Sequence, residues 1–356
     1  MSNAEVILND PDLVAARDAH FARMSGLFDG AQPDKLFLLY GINGAGQADP
    51  YADTETWTRQ AAEDLASRAG CLRDPDVFRP LVIQSAPYGV HFVDRMFGAH
   101  VYELREKNNW QVVSLDQPIG RLQPPDLDAD ETWALARRTA EAFLALGMSA
   151  PLFSLPTIAS ALNIGLNLYG QELLMAFIET PEAVRHDLRI INDLLCTMHR
   201  WYLDRIPIEQ LQPVVAVARA QPPGHGQLCG CSTQLLPPDL YREFVAPLDD
   251  ELLSVYPRGG MIHLCGTHTQ HIPVWHEMRS LKAVQLNDRA AEDLELYWNG
   301  LRPDQVFYVN PCPGMPVERI MEITGGRRVV VIADIQPPDI VRYYRVSGKS
   351  AEDLLS

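Results

Sequence analysis

The strongest constraint on this chain is a series of short apolar runs, each followed by a stretch of helical character. KLFLLYGING, PLVIQSAPYG, QVVSLD, APLFSLP, PVVAVARA, GGMIHLCG, KAVQLND, QVFYVNPC and RRVVVIADI read as strands, and several are continuously apolar instead of alternating. A strand with no polar face must be covered on both sides. That is the environment of a parallel sheet with helices packed against it. The intervening segments supply such helices. DETWALARRTAEAFLAL is amphipathic, and PEAVRHDLRIINDLLCTMHRWYLDRI opens with a proline, the residue preorganised for a first helical turn. The first thirty residues read as one helix, with Val14, Ala15, Phe21, Met24 and Leu27 at roughly helical spacing.

Both a doubly wound sheet and a (β/α)₈ barrel of TIM type satisfy this pattern. About eight strands and the lack of a GxGxxG segment after the first strand favour the barrel. At 356 residues, 47% of them apolar, the chain can bury one large core. With no internal repeat and no long linker, the expected organisation is α/β. It is a single domain over residues 1–356, with an N-terminal helical extension (1–34) and the barrel at 35–345.

Charge narrows the partners. There are 46 acidic and 30 basic residues, for a net charge of -16, and no Lys/Arg cluster stands out. Phosphate backbones and anionic membranes need a concentrated basic face, so neither nucleic acid nor membrane is expected as a partner. No apolar run is long enough for a membrane span, and MSNAEVILNDPDLVAARDAH lacks the features of a signal peptide. The expected location is the cytoplasm, where Cys71, Cys196, Cys229, Cys231, Cys265 and Cys312 remain thiols. A small-molecule substrate is expected, and oligomerisation is left open.

In a (β/α)₈ barrel the chemistry lies at the C-terminal ends of the strands. Read this way, the candidates are Gln84 and Tyr88 after one strand, His263 and Cys265 on another, Asn287 and Asp288, then Asn310 and Cys312, and finally Asp334. Asn287, Asp288 and Asp334 are also what any polar strand end would show. The thiols are harder to dismiss, because cysteine is uncommon and usually buried. His263 and Cys265 are two apart on a strand, so they share a face. Imidazole and thiolate are preferred zinc ligands. With Cys312 at the end of a later strand they make three protein ligands, which leaves a position for water or substrate. Cys229 and Cys231, in the glycine-rich GHGQLCGCSTQ, would complete a metal site, form a labile disulfide, or be two loop cysteines without a role. His268 can face the pocket. His271 and His276 read as surface or helix-packing residues, and Cys196 as core.

Together, CSTQLLPPDLYREFVAPLDDELL, GGMIHLCG and the following helix and strand ending in Asn resemble the uroporphyrinogen decarboxylase superfamily. APYGVHFVDRMFGAHVYEL and LPTIASALNIGLNLYGQELLMAFIETPEAV resemble it too, so the similarity spans about residues 35–345. The resemblance implies a distorted (β/α)₈ barrel. It also implies one of two chemistries. The decarboxylases act on a tetrapyrrole without metal and carry an Arg-Gln-x-Gly-Arg segment. ARDAHFARMSGLFDG stands in its place here. The other branch transfers a methyl group from a corrinoid to a thiol such as coenzyme M, using zinc on a His-x-Cys strand with a later Cys. His263 and Cys265 match that signature. The final strand, RRVVVIADI, has no Cys, and Cys312 lies one strand earlier.

The resemblance therefore implies a zinc-dependent methyltransferase. Its zinc ligands would be His263, Cys265 and Cys312, with Cys229 or Cys231 as a further ligand. Asn310 and Asp334 would assist catalysis, and Gln84, Tyr88, Asn287 and His268 would hold substrate. A cobalamin-type corrinoid, not covalently held, would come free or on a corrinoid protein, because the chain has no Asp-x-His-x-x-Gly segment of its own. Two alternatives stand beside it. One is a metal-independent decarboxylase of a tetrapyrrole or other carboxylated substrate, using Asp334 or Asp288. The other is a non-catalytic corrinoid-binding subunit.

Overall fold

The structure, a computed structural model, describes residues 2–32, 35–104, 106, 109–213 and 219–333. The strands in chain order are β1 (Phe37–Leu39), β2 (Ile42–Asn43), β3 (Val77–Phe78), β4 (Leu81–Gln84), β5 (His100–Leu104), β6 (Asn109–Val113), β7 (Leu152–Ser154), β8 (Leu211–Gln212), β9 (Gly226–Cys229), β10 (Gly260–Cys265), β11 (Leu281–Asn287), β12 (Val306–Val309) and β13 (Val329–Ile332). A seven-stranded parallel sheet runs β3-β1-β13-β12-β11-β10-β9, and a four-stranded parallel sheet runs β2-β4-β7-β8. The two are stitched together where the segment holding β1 and β2 runs beside the one holding β3 and β4. Tyr40 N donates to Phe78 O (2.8 Å), Ile42 N to Pro80 O (3.1 Å) and Gly44 N to Val82 O (2.8 Å).

At the opposite edges, side chains bridge β8 and β9. Gln212 Nε2 donates to Gln221 O (2.9 Å), Gln221 N to Gln212 Oε1 (2.9 Å), and Gln221 Nε2 to Gly226 O (2.8 Å). The protein is thus mixed α/β, with its strands parallel in both large sheets and buried on both faces. All residues of β1, β4, β7, β12 and β13 are buried. This agrees with the continuously apolar runs.

The helices lie between the strands. They include α1 (Asn3–Leu8), α2 (Pro11–Phe28), α3 (Thr54–Arg68), α4 (Phe92–Met96), α5 (Glu131–Ala145), α6 (Ala161–Tyr169), α7 (Glu172–Glu179) and α8 (Pro181–Leu203). The first thirty residues form two helices, not the single one expected. Asp10 caps α2 through its side chain and Pro11 starts it, so the chain must break there. The helix α2 packs onto the sheet: Phe21 meets Phe78 edge to face at 5.0 Å, and Met24 Sδ accepts from Tyr308 of β12. No helix among the described residues is long and apolar enough to cross a membrane.

Two strand assignments change. QVVSLD was expected as a further buried strand, but its first residues belong to β6, which pairs with β5 as an antiparallel hairpin apart from both sheets. There Gln111 and Val112 are half-buried and Val113 is exposed. A short apolar run reads the same in either setting. Conversely, GQLC in the glycine-rich segment is not a loop but β9, the edge of the seven-stranded sheet. Its glycine misleads. A Cβ on Gly226 would lie 2.2 Å from the Tyr256 ring, so close packing, not a turn, requires glycine there. Most of PVVAVARA lies outside the described residues.

Candidate metal centre

Strand register builds the site. Directly paired residues of parallel strands project to the same face of a sheet. His263 of β10 stands opposite Cys229 of β9 and Gln285 of β11, and Cys265 stands opposite Asn287. Cys229, His263 and Gln285 therefore form one row. Cys265 and Asn287 form the next, at the C-terminal ends of the strands. Cys231 follows β9 in the 3₁₀ turn Cys231–Leu235, and Gly230 N donates to His263 O (2.8 Å), which holds that turn against β10.

The donor atoms converge. Those of Cys229, Cys231 and His263 all lie within 4.8 Å of one another. Cys229 and Cys231 Sγ are 3.4 Å apart, and Cys265 Sγ lies 3.1 Å from His263 Nε2. The imidazole is held from behind. His263 Nδ1 donates to the Gln285 side-chain carbonyl, and Gln285 Nε2 donates to Asn310 Oδ1. With the proton fixed on Nδ1, Nε2 presents its lone pair toward the thiols. This is the relay that orients metal-binding histidines.

The thiols are tuned against one another. A hydrogen bond from Cys231 pushes the thiol of Cys265 down, against burial. Cys231 also lowers Cys229, whereas Cys231, between the other two sulfurs, is pushed up and keeps its proton. Amides support the sulfurs that ionise. Asn287 Nδ2 donates to Cys265 Sγ (3.5 Å) and Asn163 Nδ2 to Cys229 Sγ (3.3 Å). Asn163 is itself fixed, because its Oδ1 accepts from Ser232 N (3.2 Å) and Ser160 Oγ (3.3 Å) at the start of α6.

The other candidates occupy different settings. His268 is buried, with Nε2 donating to Cys265 O (2.6 Å) and Nδ1 accepting from Thr233 Oγ1 (2.8 Å), so protein takes up both ring nitrogens. Burial also lowers its pKa. His271 is buried against Tyr241 (4.4 Å) and Trp275 (5.6 Å), and its Nε2 donates to Thr233 O (2.8 Å). Gln84 Nε2 donates to Leu155 O (3.0 Å). Tyr88 adopts φ 60° and meets Tyr51 and Trp110 edge to face at 5.3 and 5.2 Å. Asp288, with φ 48°, accepts from Asn287 Nδ2 (3.0 Å). Cys312 opens a turn closed by paired backbone hydrogen bonds with Met315, beyond β12, and is not among the converging donors. Asp334 lies outside the described residues.

With this geometry in place, the fold has a known likeness. It is similar to the structure of a methyltransferase from Methanosarcina mazei, with a TM-score of 0.59 and 10% identity over 88% of this chain and 91% of that one. At that identity the likeness is one of fold. No family model matches the chain, and no curated protein matches it.

Sequence reasoning passed over two residues of the site. Gln285 lies in the otherwise apolar core of KAVQLND. A lone amide buried in an apolar strand must find a partner, and that was the available signal. Asn163 lies in an apolar helix, ALNIGLNLY, where the same signal applied.

Proposed function

We propose that this protein is a cytoplasmic zinc-dependent methyltransferase on a TIM-type (β/α)₈ barrel of the uroporphyrinogen decarboxylase superfamily. It would move a methyl group between a cobalamin-type corrinoid, free or on a partner protein, and a thiol or related acceptor. The observation that carries the reading is the convergence of Cys229, Cys231, Cys265 and Nε2 of His263 at adjacent strand ends. The residues fit zinc on chemical grounds. Thiolate and imidazole are its preferred ligands, and the tautomer of His263 leaves a lone pair for it. His263 and Cys265 would hold the ion with Cys229 or Cys231, and a position would remain for substrate. Bound there, zinc would keep an acceptor thiol in its nucleophilic thiolate form at neutral pH.

The chain's own groups do the rest. Gln285 and Asn310 fix the imidazole, while Asn287 and Asn163 support the negative sulfurs. The likeness in fold to a methyltransferase supports the same reading. The test combines metal analysis with transfer from methylcobalamin to coenzyme M. About one zinc per chain, lost together with transfer in Cys265→Ser, is expected. A metal-free Cys265→Ser protein with full activity would overturn the reading.

A further inference from the structure

A second group of polar side chains lies after β4, outside the thiol cluster. His91 Nδ1 donates to Asp94 Oδ2 at 2.6 Å, and Asn167 Nδ2 donates to the same oxygen at 2.8 Å. Asp94 is 0% exposed, and its other oxygen, Oδ1, has no hydrogen-bond partner among the described residues. Burial raises its pKa. A buried carboxylate with an unpaired oxygen is costly to retain for stability alone. Its effect on His91 is specific. With the proton committed to Nδ1, Nε2 is left as the basic nitrogen, and it has no partner among the described residues.

The helix α6 ties this pair to the thiols. Asn163 and Asn167 are four apart, so they share a face, with Cβ atoms about 6 Å apart. Asn163 touches Cys229 Sγ, and Asn167 touches Asp94 and lies 3.4 Å from His91 Nδ1. The dyad is thus linked to the thiol cluster through one turn of α6.

We propose that His91 is a catalytic base for the acceptor, and that Asp94 is its positioning residue. The inference rests on the methyl-transfer reading above. As a thiol acceptor enters, its S–H bond breaks and an N–H bond forms at His91 Nε2. The electron pair stays on sulfur, and the imidazolium formed is balanced by the Asp94 carboxylate until the proton passes to water. Nothing is oxidised or reduced.

The test uses full-length, zinc-loaded protein, methylcobalamin and two acceptors. One is an alkyl thiol that arrives protonated, and the other an aryl thiol already ionised at the assay pH. His91→Gln should slow transfer to the alkyl thiol about 10²- to 10⁴-fold and leave transfer to the aryl thiolate nearly unchanged, with zinc content as in wild type. Equal loss with both acceptors would mean a purely structural tie between α4 and α6 and would overturn the proposal. If His91→Gln does not fold, Asp94→Asn replaces it and should show the same selectivity for the alkyl thiol. Nitrogen NMR of the histidine rings is a separate arm. If the wild type transfers methyl to neither thiol, the zinc methyltransferase reading fails by itself. The dyad is then judged on tautomer: Nδ1–H with a bare Nε2, altered in Asp94→Asn, supports it, and Nε2–H overturns it.

Discussion

Strand β10 and the turn after it carry three histidines in nine residues, His263, His268 and His271, and the fold uses them in opposite ways. His263 has one nitrogen anchored by Gln285 and the other open toward three thiols. His268 has both nitrogens occupied by Thr233 and Cys265 O. His271 is packed between Tyr241 and Trp275, with Nδ1 buried and without a hydrogen-bond partner among the described residues. Burial lowers the pKa of both His268 and His271 and keeps them neutral. The lesson is that an imidazole becomes a ligand through its second nitrogen: where protein takes both, or apolar rings enclose the ring, a histidine is part of the scaffold.

The largest expected effect tests the ligand side. His263→Ala should abolish stoichiometric zinc binding, measured by metal analysis after dialysis, whereas His271→Ala should leave about one zinc per chain. Retained zinc in His263→Ala would erase the distinction. The scaffold side predicts the reverse pattern. Trp275→Ala removes the ring between His271, Tyr241 and Tyr297 and should cost about 3–5 kcal/mol in denaturant unfolding, with zinc stoichiometry kept.

A fourth histidine sharpens the scaffold class. His199 is fully buried, with Nδ1 2.5 Å from Tyr256 Oη, and burial lowers its pKa to about 4. Its folded value lies below the ordinary 6.5, so the unfolded chain binds the proton more readily between the two. Stability is full above about pH 6.5 and should fall as pH drops toward 4, by an amount on the order of a few kcal/mol. His20 and His225 act in the same direction. In His199→Gln the pH dependence of unfolding should be shallower, and an unchanged slope would remove His199 from this class.

Smaller effects probe the supports. Gln285→Leu should weaken zinc binding about 10- to 100-fold in competition with a chelator while the protein stays folded. Thr233→Val, which takes a hydrogen bond from His268, should cost about 1 kcal/mol of stability and no zinc affinity. If Thr233→Val matched Gln285→Leu in zinc affinity, His268 would belong with His263 after all.

Much of this was readable in the chain. Two-sided apolar runs such as VVVI and LVIQ read as buried parallel strands, and they are. The two-residue spacing of His263 and Cys265 places them on one face wherever the strand lies. What escaped depended on neighbours far away in sequence. Cys229 meets His263 only because β9 pairs with β10 in one register, and Gly226 hid that strand because its missing Cβ makes room for Tyr256. The hairpin β5–β6 escaped for the opposite reason, since a half-exposed ribbon and a buried strand share the same short apolar run.

The sequence by itself determined that this chain is α/β with parallel strands, and that His263 and Cys265 share a single face. Both follow from local periodicity, which backbone geometry imposes on any strand. Only the tertiary structure decided which other groups join them. It brought Cys229 and Cys231 beside His263, placed Gln285 and Asn310 behind its ring, and closed His268 and His271 into the scaffold. Those choices rest on strand register and on which nitrogen finds a partner, and neither is written in any one stretch of the chain.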